Sequence, residues 1–244
     1  MNQSLANQVI LVTGGGRGLG YAVASELAQA GARLILTDLD HQSAQTAADK
    51  INQNLNKTVA EGVGCDARDD ARITTTIKTI EENHGHLDAL INNAGINVTA
   101  DIESISTEDW DRTLNTNLRG PFVMTKLALP LLKKSSNPTV INIVSSLAKR
   151  IKENSPAYVA SKWGLLGLSQ ILYLQLKKHN VRVTALSPAQ MRTRFLLDRY
   201  PELDQNKLLD PQEVAKVVRF ILELPPTVAI PDLFMTSLNE ETWP

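Results

Sequence analysis

The sequence predicts an α/β fold in which a doubly wound, seven-stranded parallel sheet carries helices on both faces. Three observations point to it. Short apolar runs alternate regularly with helical patterns, the first run opens into a glycine-rich turn, and several runs close on Asp, Asn or Ser. Strands separated by helices are joined by crossovers, which makes them parallel and covers both faces of the sheet. The 244 residues, 43% hydrophobic and 21% charged, suit one large domain over 1–244, with no linker, repeat or low-complexity tract.

The first strand is the apolar run 9–12, followed by Thr13-Gly14-Gly15-Gly16-Arg17-Gly18-Leu19-Gly20 and a helix over 21–30 closed by Gly31. Such a turn presents backbone N–H groups and a helix N-terminus to a phosphate. The second strand, 33–37, ends in Asp38, placed to meet the ribose hydroxyls of a dinucleotide. A polar helix over 42–55 leads to a strand at 58–65 with Asp66 at its C-terminal end, then a helix over 69–83 and a strand at 87–91. That strand runs into Asn92-Asn93-Ala94-Gly95. A helix starting near Thr107 carries Asn117, Pro121 is expected to bend the chain, and a second helical stretch reaches Lys134. The β-rich run 139–144 ends at Ser145, a long helix over 155–178 follows, and 181–186 forms the sixth strand. Asp210-Pro211-Gln212-Glu213 has an N-cap, a proline at N1 and an acid at N3, and 233–235 is the seventh strand.

Composition narrows the function. A net charge of −1 offers no footprint for nucleic acid or an anionic membrane, and the lone Cys65 excludes an internal disulfide. His41, His84, His86 and His179 form no spaced ligand set, so no metal site is expected. The polar start Met1-Asn2-Gln3-Ser4 is unlike a signal peptide and no apolar run approaches a membrane span, which makes a cytoplasmic protein the expectation.

The chemistry is expected around Tyr158 and Lys162. Four residues apart on a helix, their side chains share one face, and a cation beside a phenol favours its anion. A free phenol titrates near 10 and shuttles protons poorly at neutral pH without such help. Ser145, at the end of a buried strand, can bring a hydroxyl to the same reacting oxygen.

Together these residues resemble the short-chain dehydrogenase/reductase family over nearly the whole chain. The matching motifs are Thr-Gly-x-x-x-Gly-x-Gly at Thr13 to Gly20, Asn-Asn-Ala-Gly at Asn92 to Gly95, Asn117-Leu118-Arg119-Gly120, Asn142-Ile143-Val144-Ser145 and Tyr158-x-x-x-Lys162. The resemblance implies a Rossmann fold and hydride transfer between a nicotinamide and a carbonyl or secondary alcohol, with Tyr158 as general acid or base. It also implies that Ser145 steadies the substrate oxygen, that Lys162 lowers the Tyr158 pKa and holds the nicotinamide ribose, and that Asn117 holds a relay water. Cofactor contacts carried over are Gly14, Gly16, Arg17, Gly18, Leu19, Gly20, Asp38, Asp66 and Ala67 on the adenosine side. Asn93, Ala94, Gly95, Tyr158, Lys162, Pro188, Met191 and Thr193 are carried over on the nicotinamide side. Asp38 favours NAD by accepting from a free 2′-OH, whereas Arg17 is of a type that meets the 2′-phosphate of NADP unless it pairs with Asp38 or faces solvent. Leu39 supplies no second cation, so NAD is favoured.

Two departures stand out. Pro188-Ala189 replaces the family's Pro-Gly, and the chain carries Pro225-Pro226 and Ile230-Pro231 in place of an Asp-Gly-Gly ending. The stretch around 190–210 is the expected substrate lid, with Phe195, Leu196, Leu197 and Tyr200 beside Arg194 and Arg199. Those arginines, like Lys149, Arg150 and Lys152, are expected to face solvent rather than an acidic substrate, while Ile96, Asn97 and Val98 line the pocket. By resemblance the long helix, with Leu165, Leu168, Ile171, Leu172 and Leu176, pairs in a homodimer or homotetramer. The competing class is a non-catalytic NAD(P)-binding sensor.

Overall fold

The computed structural model describes residues 4–240; the polar first three residues and the last four of the expected domain lie outside the described residues. Seven strands form one all-parallel sheet in the order β3-β2-β1-β4-β5-β6-β7. They are β1 Val9–Thr13, β2 Arg33–Asp38, β3 Ala60–Gly64, β4 Ala89–Asn92, β5 Thr139–Ile143, β6 Arg182–Pro188 and β7 Asp232–Met235. The intervening helices are α1 Gly18–Gln29, α2 His41–Leu55, α3 Asp70–His84, α4 Thr107–Leu114, α5 Gly120–Leu132, α6 Pro156–Leu176, the single turn α7 Arg194–Leu197 and α8 Pro211–Glu223.

Alternation along each strand sends side chains to opposite faces. Ile10, Val12, Leu34, Leu36, Ile141 and Leu186 pack with buried residues of α1, α2 and α8. Val9, Leu11, Ile35, Leu90, Val140 and Val183 pack against α3, α5 and the C-terminal part of α6. The doubly wound sheet with helices on both faces therefore follows from the strand pattern. The chain starts at the centre, builds β2 and β3 on one side, then crosses to β4 on the other. Sheets of this kind hold ligands outside the strands' C-terminal ends at that reversal, between β1 and β4.

Capping is local. Asp40, Asp69, Ser106 and Asp210 each accept N–H bonds in the first turn of the following helix, as residues of these types do. Gly31 follows α1 with φ +98° and closes it in the left-handed region. β3 is shorter than 58–65, because Asn52 Oδ1 accepts from the amides of Val59 and Ala60 before pairing with β2 begins. Pro121 does not bend the chain. Between α4 and α5 the backbone stays helical through a wide π turn at Asn115–Arg119, and Pro121 sits in the first turn of α5. A proline there needs no N–H of its own.

Candidate active site

β1 leaves the sheet into the glycine turn with Gly14 at φ +62° and Gly18 at φ +57°, angles that side chains resist. A Cβ on Gly20 would lie 2.1 Å from the Gly14 carbonyl oxygen, and one on Gly16 2.8 Å from Asp38 Oδ2. Only bare backbone fits here. Arg17 caps α1 without a side-chain bond and its first turn holds no acid, so its end presents amides and a positive dipole. The turn packs too closely for any Cβ, and the free amides and positive dipole at the start of α1 suit a pyrophosphate.

Asn93, expected to contact cofactor, has its side chain bonded to the turn. Its amide donates to the carbonyls of Thr13 and Gly14 at 2.9 and 3.0 Å. Thr13 Oγ1 in turn accepts from the amides of Asn93 and Ala94, both at 3.0 Å. These bonds tie the ends of β1 and β4 across the crevice, and Thr13, counted in the motif but not among the site residues, is half of the tie. Asp38 Oδ2 accepts from Gly16 N at 3.2 Å and so braces the same turn. Arg17 is exposed and forms no ion pair with Asp38 among the described residues. Asp66 is chelated by Arg68, which together with its exposure to that guanidinium holds the carboxyl below its ordinary range. Ala67 stands against the π turn, its carbonyl 2.8 Å from where a Gly120 Cβ would lie. Leu19 is buried in the first turn of α1.

On the other side of the crevice α6 places Tyr158 and Lys162 one turn apart, both buried. Lys162 Nζ donates to the Ile143 carbonyl at 2.8 Å and lies 5.6 Å from the Tyr158 ring centroid. Burial lowers the Lys162 pKa to about 7. Burial also pushes the Tyr158 phenol above its ordinary value, while a hydrogen bond from Ser145 and the charge of Arg199 act the other way. Lys162 is turned to a backbone carbonyl beside the Tyr158 ring, and desolvation is the largest influence on the phenol. Ser145, in turn, accepts from Leu147 N at 3.1 Å.

Asn117, fully buried, sits on the π turn with Oδ1 accepting from Ile96 N at 2.8 Å. Its Nδ2 donates to the Ile96 carbonyl and to Ser161 Oγ, which itself donates to the Tyr158 carbonyl. A Cβ on Gly95 would be 3.3 Å from Asn117 Oδ1 and 3.8 Å from Lys162 Nζ. Asn117 and Lys162 thus meet around Gly95, with Ser161 as an unforeseen link. Pro121, lacking an N–H, cannot give the Asn117 carbonyl its α-helical donor.

The strand end Pro188-Ala189 continues into Gln190–Met191, where Met191 bridges Leu209 and Thr193 comes within 3.8 Å of a Cβ built on Gly18. The lid stretch therefore reaches the glycine turn. Of the basic residues expected in solvent, Lys149 pairs with Asp232, Arg150 with the buried Glu240, and Lys152 lies over the Tyr200 ring. Arg199 is half-buried and turned toward the pocket, not to solvent. Among the described residues no group of three or more His, Cys, Asp or Glu is placed to hold a metal, and no helix is long and apolar enough to cross a membrane.

A parallel sheet with a phosphate-fitting glycine turn facing a Ser–Tyr–Lys cluster defines a nicotinamide-dependent oxidoreductase. Comparison with known proteins makes the assignment specific: residues 8–203 match the family described as short chain dehydrogenase. The chain belongs to that family. It is 31% identical over 229 residues to trans-4-hydroxycyclohexanecarboxylate dehydrogenase of Sinomonas cyclohexanicum, covering 91% of this chain and 88% of the relative. The structure superposes with TM-score 0.89 and 25% identity on an alcohol dehydrogenase from the archaeon Thermococcus sibiricus complexed with 5-hydroxy-NADP, covering 97% and 99% of the two chains. A 3-ketoacyl-(acyl-carrier-protein) reductase from Brucella melitensis complexed with NADH superposes with TM-score 0.85 and 26% identity, over 96% and 99%. The chain is accordingly an NAD(P)-dependent oxidoreductase acting on alcohol or carbonyl groups.

Proposed function

We propose that Tyr158 is the general acid and base of this enzyme, working on a secondary alcohol or its ketone. The observation that carries this is the meeting of Ser145, Tyr158 and Lys162 across the crevice from the glycine turn. A bound nicotinamide supplies the hydride donor or acceptor. The residues do the rest. Burial keeps Tyr158 protonated in the physiological range, so it is ready to give its proton to a carbonyl oxygen. Ser145, hydrogen-bonded to the phenol, donates to the substrate oxygen and steadies its developing charge. In the oxidative direction Tyr158 must lose its proton, and a protonated Lys162 on the same helix face stabilises the phenolate. The Asn117 carbonyl is the next acceptor toward solvent.

NAD remains our preferred cofactor. The Asp38 carboxylate stands at the glycine turn, and the adjoining Leu39 is 69% exposed and uncharged where a 2′-phosphate needs a cation. The relative named for a hydroxycyclohexanecarboxylate supports a secondary alcohol as substrate. The stretch 190–210 acts as the lid of a single domain over 1–244. Two or four copies associate through α5 and α6, and a cytoplasmic location matches reliance on a cellular nicotinamide pool. Titration with NADH and NADPH, followed by fluorescence, tests the cofactor. Tyr158→Phe tests the mechanism: turnover should fall by about 10²-fold or more while cofactor binding persists. Retained turnover would remove Tyr158 from the mechanism.

A further inference from the structure

The lid stretch holds a cation that the reaction leaves unused. Arg199, two residues beyond α7, folds back over the Phe195 ring with its guanidinium carbon 4.3 Å from the ring centroid. The same ring stands 6.1 Å from the Tyr158 ring on the reacting side. Phe195 thus neighbours both the phenol and the guanidinium. The charge of Arg199 is felt at both Tyr158 and Tyr200.

Its hydrogen bonding is incomplete. Nη2 donates to the Phe195 carbonyl within its own turn, Nη1 reaches the Asn97 carbonyl only at 3.4 Å, and Nε is buried without an acceptor. Arg150, Arg192 and Arg219 each hold a carboxylate at 2.6 to 3.1 Å. Arg199 holds none among the described residues, its neighbour Asp198 being exposed. A further buried atom near it, Asn97 Oδ1, also lacks a hydrogen-bond partner, whereas the Tyr200 hydroxyl is engaged by Lys152 and Thr99. Lys152 Nζ, 3.8 Å from the Tyr200 ring centroid, adds positive potential. Buried polar groups are almost always bonded, so unmet donors and acceptors gathered beside a reacting phenol mark where a ligand's polar end belongs.

We propose that Arg199 binds a carboxylate of the substrate, making this an enzyme of hydroxy acids and oxo acids whose apolar linker lies along Phe195. The inference rests on the oxidoreductase reading with Tyr158 at the reacting carbon. A guanidinium offers paired N–H donors that match both carboxylate oxygens. One unpaired guanidinium balances one carboxylate, and the Phe195 ring beside both it and Tyr158 favours hydrocarbon over further charge.

The test compares 4-oxopentanoate and 5-oxohexanoate with their methyl esters, in the wild type, Arg199→Met and Arg199→Lys. The wild type should show at least about tenfold higher kcat/KM for an acid than for its ester, as loss of a charged hydrogen bond implies. Arg199→Met should erase that ratio and Arg199→Lys keep part of it. A wild-type ratio near one, or one unchanged in Arg199→Met, overturns the assignment; if the esters are still reduced, the oxidoreductase reading stands. Should the wild type reduce neither, calorimetric titration with pentanoate, with and without NADH, decides: about tenfold weaker binding to Arg199→Met supports the carboxylate site, and equal binding removes it. Absence of both NADH and NADPH binding counts instead against the oxidoreductase reading.

Discussion

Lys162 shows what a single buried charge does to the whole protein. Its folded-state pKa of about 7 lies below the ordinary lysine value of 10.5. Between those values the unfolded chain holds one proton more than the folded one, so this group makes stability rise with pH across that window. Lys162→Met should remove the rise. Urea midpoints from pH 7 to 10 should show the wild type gaining on the variant as pH increases; parallel curves would show that the ammonium is better solvated than its burial implies. Candidate site residues could be named from the sequence because five motifs fell in order, three at strand ends, one on the π turn and one on α6. Their partners could not. That Asn93 ties the turn through the carbonyls of Thr13 and Gly14 could not be read from its motif. Arg199 resembled any other loop arginine until the turn after α7 folded it over Phe195.

Elements were legible where pattern and caps agreed, as at Asp210 and at Gly31, and less so where tertiary bonds intervened. Pro121 is the instructive miss: a π turn ahead of it absorbs the geometry that a bend was expected to relieve. Arg182 is another. It opens β6 like an ordinary polar edge residue, yet it is 5% exposed. It donates to the carbonyls of Ile221, Leu222 and Leu224 at the end of α8, and to Thr139 Oγ1 at 2.7 Å. The guanidinium caps α8 from a neighbouring strand and thereby seats the two prolines that follow. Arg182→Met should cost about 3 kcal/mol by leaving those buried carbonyls unmet, measured by urea unfolding. At the glycine turn, Gly20→Ala should weaken cofactor binding by at least tenfold, about 1.4 kcal/mol, because its Cβ would collide with the Gly14 carbonyl. Affinity close to wild type would mean that the turn has another shape.

Across the whole molecule, the largest unexplained feature is an apolar face on α5 and α6. Trp163, Ile171 and Leu174 are exposed along one side of α6, with Gly167 among them bare enough that a Cβ would touch nothing within 4 Å. Phe122 of α5 is exposed beside a groove that includes Leu118 and Leu168. The long helix was expected to divide its apolar residues between sheet and partner, and Leu165 and Leu176 are indeed buried while Ile171 is not. A self-association face of this kind should give at least a dimer by light scattering, and Trp163→Glu with Ile171→Lys should give monomers. A wild-type monomer would leave the face without a purpose in assembly. The catalytic turn carries a different message. The turn after Ser145 is held through Lys149 to Asp232 and through Arg150 to Glu240, each at 2.6 Å. Those anchors are synthesised long after the serine they steady. Cutting either pair should therefore leave the catalytic turn loose while the glycine turn, tied by Thr13 and Asn93 at the far side of the crevice, keeps its shape.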